Sequence, residues 1–345
     1  MEKSSFQINF GHFQKKYSKK SKKILINRWN RTRKGVIINF KNTVGNDGGF
    51  MGRIIAIANQ KGGVGKTTTA INLSACLAEK GMKVLVIDID PQGNTTSGLG
   101  INKEELENTI YQMLIDECSI EKCMCKSVVD NLFVLPSDVN LAGAEIELIG
   151  IENKEYILSE KVEPIKDFFD YILIDCPPSL NTLTVNAMTT ADSVLVPIQC
   201  EYYALEGLSQ LIHTINLVKQ RLNDKLEIEG VVFTMYDART NLSLQVVENV
   251  RGNLQQNIYN AIIPRNVRLA EAPSHGLPIS MYDPKSAGAE AYRELAEEIL
   301  KQDGFGEQEL EELPRSNNTE EKKKGEKSEK KNEKNDKKKL FRRKA

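Results

Sequence analysis

Histidine and tryptophan are almost missing from this chain of 345 residues, with three of the first and one of the second. Six cysteines are present, and Cys118, Cys123 and Cys125 lie close together. No histidine accompanies them, and their spacing fits no common zinc or iron–sulfur pattern. The thiols are therefore expected to be reduced. No run of about 18 apolar residues occurs, which excludes a transmembrane helix. The apolar stretches nearest the N-terminus, residues 24–26 and 36–38, are far too short for the core of a signal peptide. A cytoplasmic protein is expected. No internal repeat is visible.

Net charge is also lacking, but only in the total. Residues 1–50 carry 12 Lys and Arg against 2 acids, and residues 315–345 carry 14 against 6. The middle is left with 21 basic and 39 acidic residues, an acidic body between two basic ends. The tail is charged and nearly free of apolar residues, so it cannot bury enough surface to offset the entropy of ordering. It reads either as a basic arm holding nucleic acid loosely or as a solvated extension. Leu340 and Phe341 offer too little apolar surface for a stable membrane anchor. The first 50 residues read either as a DNA-binding arm or as a segment outside the native translation start. Codons for Gly48-Gly49 can spell a purine-rich ribosome-binding site just before Met51. The expected division is a basic extension over 1–50, an ATPase domain over 51–304 and a charged tail over 305–345.

From Arg53 onward the pattern is regular. Short apolar runs at 54–58, 84–87, 132–135, 171–174, 194–198, 231–234 and 258–263 alternate with amphipathic stretches. Continuous apolarity, as opposed to alternation, marks strands covered on both faces. Residues 67–80 read as a helix stopped at Gly81. Residues 204–221 form a second, with Leu205, Leu208, Leu211, Ile212, Ile215 and Leu222 towards one side. The predicted fold is α/β, a doubly wound and mostly parallel sheet flanked by helices.

The first strand runs into KGGVGKTT, residues 61–68, and then a helix. Gly62, Gly63 and Gly65, around Val64, let backbone N–H groups turn inward about phosphate oxygens, and the helix N-terminus adds its positive end. Lys66 is placed to bridge the β- and γ-phosphates, and the Thr67 hydroxyl, followed by Thr68, to ligate Mg²⁺. The strand, loop and helix together predict a nucleotide site. The spacing is compressed relative to the common G-x-x-x-x-G-K-S/T, and a second lysine, Lys61, precedes it.

With that lysine, the chain resembles the deviant Walker A ATPases, and within them the ParA/Soj chromosome- and plasmid-partition proteins, from Met51 to about Leu300. The stretches QCEYYALEGL, TMYDARTNL and PRNVRLAEAPSHGLPI carry the resemblance further. The resemblance implies an ATP-sandwich homodimer in which Lys61 reaches the other subunit's phosphates. It assigns Asp90, in VIDIDPQGNTTSGLG, to the attacking water, and Asp88 to the neighbourhood of the metal. Asp175 ends YILID, the Walker B pattern of a buried strand-end carboxylate holding Mg²⁺. The adenine contact falls to Pro264 and Asn266, and contact with non-specific DNA to Arg239 and Arg268. The implied protein hydrolyses ATP slowly, associates with the nucleoid, and is stimulated by a ParB/Spo0J-like partner bound at the centromere site. Soj-like proteins can also act on replication initiation or sporulation. The alternative is a MinD-like ATPase cycling on the membrane, for which the tail lacks an amphipathic helix. Cys176 reads as a packed small residue and His275 as a loop residue.

Overall fold

The computed structural model describes residues 52–306. The expectations for residues 1–50 and for the charged tail beyond 306 lie outside the described residues. Eight strands form one sheet in the order β3-β4-β2-β5-β1-β6-β7-β8. They are β1 (Arg53–Ile57), β2 (Val84–Asp88), β3 (Cys125–Lys126), β4 (Leu132–Leu135), β5 (Tyr171–Asp175), β6 (Ser193–Gln199), β7 (Glu227–Tyr236) and β8 (Ile258–Pro264). All pair in parallel except β3, which runs antiparallel to β4 at the edge. The doubly wound, mostly parallel α/β fold is confirmed.

The seven apolar runs are seven of these strands. Every residue of β2 and β5 is buried, as expected where helices cover both faces. The eighth strand, β3, is two residues long and half exposed, so no apolar run announces it. β7 extends beyond its expected span of 231–234 because Glu227 and Glu229 interrupt its apolarity. Glu229 is nevertheless buried: Ser193 Oγ and Tyr259 Oη donate to its carboxylate at 2.6 and 2.7 Å, and Arg53 pairs with it. Arg53 also pairs with Asp303, so the network fastens the last helix to the strands' amino ends.

Among the helices that matter here are α1 (Lys66–Glu79), α2 (Asn94–Gly98), α3 (Leu141–Glu147), α4 (Thr182–Thr190), α5 (Ala204–Arg221), α6 (Asn241–Asn253), α7 (Val267–Glu271) and α8 (Ala287–Gln302). α1 stops where expected. Gly81 has φ +88°, and the Met82 N–H reaches back to Leu77 O, a Schellman end. α5 has the expected span, but its buried side is Leu208, Leu211, Ile215 and Val218. Leu205, Ile212 and Leu222 are only half-buried. No described helix is long and apolar enough to cross a membrane.

Candidate nucleotide site

β1 delivers the chain to the carboxyl edge of the sheet, where open α/β folds bind ligands. Gly63 and Gly65 have φ +74° and +91°, the left-handed region that glycine enters without steric penalty. Gly62 has ordinary φ, and a Cβ there would meet only Pro178, 3.9 Å away. Its lack of a side chain leaves room beside the backbone for something outside the chain. α1 begins at Lys66 with no side-chain cap and no acid in its first turn, so its first N–H groups remain available to an anion.

The two lysines are treated differently. Lys66 is 6% exposed, and its Nζ donates to Lys61 O at 3.2 Å. Burial lowers its pKa, opposed by the nearby carboxylates of Asp175 and Asp90. Lys61 lies at the surface with its Nζ 2.6 Å from Glu201 Oε2, in the turn after β6.

Asp88 and Asp175 end adjacent strands and are partners in register. Both are fully buried. Burial pushes Asp88 up to about 6, against hydrogen bonds from the Thr96 hydroxyl and N–H. Burial, reinforced by Asp88, pushes Asp175 up to about 7, against the Thr95 hydroxyl at 2.7 Å. The Thr67 hydroxyl also acts on Asp175 in the lowering direction, without a hydrogen bond of good geometry. Asp175 Oδ1 is buried and has no partner among the described residues. A buried carboxylate oxygen without a donor is costly, and a hard cation or its water satisfies it. The described residues hold no group of three or more His, Cys, Asp or Glu able to share an ion. Mg²⁺ takes one or two protein oxygens and completes its shell with water and phosphate, and Asp175 Oδ1 offers one such oxygen. Asp90 is half-buried, two residues beyond Asp88, with Oδ1 accepting from the Gln92 N–H at 2.9 Å.

The structure thus gathers Lys61 to Thr68, Asp88, Asp90 and Asp175 around one loop. Thr95 and Thr96 of α2 belong to the same cluster, their hydroxyls bonding Asp175 and Asp88, and the sequence did not mark them. Glu201 and Thr234 were not foreseen. The Thr234 hydroxyl donates to Val64 O at 2.8 Å and so braces the loop from β7. Pro264 and Asn266 stand apart, at the end of edge strand β8. Asn266 caps α7, its Oδ1 accepting from the Arg268 N–H at 2.8 Å, which leaves the amide donors for another partner. Arg239 and Arg268 follow the ends of β7 and β8, which pair through Tyr236 and Pro264. Both arginines are exposed and ion-paired, Arg239 with Asp237 and Arg268 with Glu271. Cys176 is buried, and burial pushes its thiol well above the ordinary range. His275 stacks on Tyr282 with ring centres 4.9 Å apart.

A family model described as an AAA domain matches residues 52–228. The chain is 57% identical over 249 residues to the sporulation initiation inhibitor protein Soj of Bacillus subtilis, covering 72% of this chain and 98% of that one. It is 53% identical over 253 residues to the chromosome partitioning protein ParA of Myxococcus xanthus, covering 73% and 89%. Among solved structures, cobyrinic acid a,c-diamide synthase from Mycobacterium smegmatis with bound ADP and magnesium superposes with a TM-score of 0.65 at 36% identity. That match covers 73% of this chain and 95% of the other. With its phosphate loop, strand-end aspartates and these relatives, the chain belongs to the ParA/Soj family of P-loop ATPases.

Proposed function

We propose that this protein is an ATP-driven dimeric switch that holds DNA without sequence preference and moves chromosome or plasmid copies apart. One observation carries the reading: the two lysines of the loop have separate duties. Lys66 is buried in its own site, while Lys61 is held at the surface by Glu201, free to change partners. A second copy facing the same edge would receive Lys61 on its bound phosphates.

The surface around the loop supports such a face. Among the described residues, several large apolar side chains left exposed lie in segments leaving the carboxyl ends of strands. Val139 follows β4, Leu180 follows β5, Tyr202 and Tyr203 follow β6, and Val267 follows β8. Exposed apolar side chains concentrated on one edge mark an interaction surface.

Within the site, Lys66 and the Gly62–Thr68 backbone hold the ATP phosphates, and Pro264 and Asn266 take the adenine. Thr67, Asp175 and Asp88 would hold Mg²⁺, which would offset the charge on the ATP phosphates. Asp90 orients the attacking water, and hydrolysis opens the dimer. Arg239 and Arg268 from both copies form the DNA surface. An acidic body needs such local cations, since phosphate contacts supply non-specific affinity. A ParB/Spo0J-like partner speeds hydrolysis. Nucleoid association follows from the DNA contact.

The test is fluorescence anisotropy with two duplexes of unrelated sequence, with ATP or ADP, over a salt series. Equal, ATP-dependent and salt-sensitive binding to both is expected. Binding that is indifferent to nucleotide, or confined to one duplex, would overturn the reading.

A further inference from the structure

Among the described residues, four other than glycine have left-handed backbones: Asp116, Asn131, Asn153 and Met235. Asp and Asn tolerate that region because their short polar side chains bond locally. Methionine does not, and Met235 holds φ +51° inside a strand.

Its neighbours on either side explain why the position matters. Thr234 is in register with Gln199 of β6, and its hydroxyl bonds Val64 O of the phosphate loop at 2.8 Å and Ile198 O at 3.1 Å. A Cβ on Gly65 would lie 3.5 Å from the Thr234 methyl, so Thr234 packs against the loop as well as bonding it. Beyond Met235, Tyr236 pairs with Pro264, and its carbonyl accepts from the Arg265 N–H at 2.9 Å. Between Phe233 and Tyr236, β7 has two residues where β8 has one, so Met235 sits in a bulge. Asp237 then holds Arg239 through Nε and Nη2 at 2.8 and 2.6 Å. Six residues, 234–239, therefore connect the phosphate loop to an arginine of the DNA face. Met235 is the one among them with a left-handed backbone.

We infer that Met235 is a strained backbone pivot coupling the phosphate loop to the positions of Arg239 and, through Tyr236, of the loop carrying Pro264 and Arg268. Phosphates that draw the loop's N–H groups inward turn the Val64 peptide, and Thr234 is fastened to its carbonyl. The left-handed and extended regions are separate wells. The segment therefore changes between two arrangements instead of bending gradually, as coupling elements do. This inference rests on the DNA-binding reading above.

The experiment measures the ratio of DNA dissociation constants in ADP and in ATP, using the full chain and a fluorescent non-specific duplex. Nucleotide affinity is followed with a fluorescent ATP analogue, and dimerisation by sedimentation. The wild-type ratio is expected to be about tenfold or more. Met235→Val, β-branched and resistant to the left-handed region, should lower the ratio while still binding nucleotide and dimerising. Met235→Asn, tolerant of that region, should keep the ratio. Thr234→Val, which breaks the link at its other end, should lower the ratio independently if Met235→Val fails to fold. A purely structural role would weaken DNA binding alike in both nucleotides. With Arg239→Glu losing DNA, an unchanged ratio in Met235→Val and Thr234→Val overturns the pivot alone. Loss of the ATP dimer in Met235→Val also overturns it, by placing the defect in the dimer. Wild-type DNA binding by Arg239→Glu overturns the DNA surface and the pivot together.

Discussion

Lys61 Nζ and Glu201 Oε2 lie 2.6 Å apart across 140 residues of chain, each side chain nearly half exposed. In the proposed dimer Lys61 must exchange this carboxylate for the phosphates of the other copy. Exposed pairs contribute about 0–1 kcal/mol and each of the two copies gives one up, so Glu201→Gln should lower the protein concentration needed for the ATP dimer by up to about thirtyfold. Sedimentation over a concentration series checks this. A variant that needs more protein than wild type would show that Glu201 supports the dimer instead of competing with it.

Asp175 makes opposite predictions with and without ligand. Without metal and nucleotide, Asp175→Asn removes a buried charge whose Oδ1 has no donor, while its amide oxygen can still accept from Thr95. The variant should be more stable by about 1–3 kcal/mol, a rise of several degrees in Tm. With Mg²⁺ and ATP the order should reverse, because the variant loses the metal-dependent part of the stabilisation. Thermal melts with Mg²⁺·ATP, and again with EDTA, measure both. An undiminished Mg²⁺-dependent shift in the variant would remove Asp175 from the metal site.

Arg239 is paired bidentately with Asp237, whose carboxyl is held down at about 2 by that arginine. DNA phosphates must compete with Asp237. Asp237→Asn should therefore tighten DNA binding. Arg239→Ala should weaken it and make the salt slope shallower by about one for each phosphate that the arginine neutralises. Titrations at several salt concentrations separate the two. An unchanged slope in Arg239→Ala would take the residue off the DNA face.

Glu229 is buried and holds Arg53, Ser193 and Tyr259 together near the amino ends of the strands. Removing one partner of a buried ion pair strands the other, so Glu229→Ala should cost about 3–5 kcal/mol. Urea unfolding reads this directly. A loss below about 1 kcal/mol, the range of an exposed pair, would mean that the network does little to hold the last helix to the sheet.

The sheet was legible because a strand covered on both faces must be apolar throughout, as residues 84–87 and 171–174 are. β3 was not, since two residues at an antiparallel edge bury too little to leave a pattern. The phosphate loop was legible because glycine spacing and helix start are local. Thr95, Thr96 and Glu201 were not, because only the assembled sheet brings them to Asp175, Asp88 and Lys61. Met235 could not be foreseen at all: methionine carries no preference for the left-handed region, and tertiary pairing alone puts it there.

Whether Lys61 acts across a dimer is decided by sedimentation velocity of wild type, Lys61→Ala and Asp90→Ala with Mg²⁺·ATP. Wild type should dimerise, Asp90→Ala should form a longer-lived dimer, and Lys61→Ala should bind ATP yet sediment as a monomer. A Lys61→Ala dimer as abundant as the wild-type one would contradict the role given to this lysine.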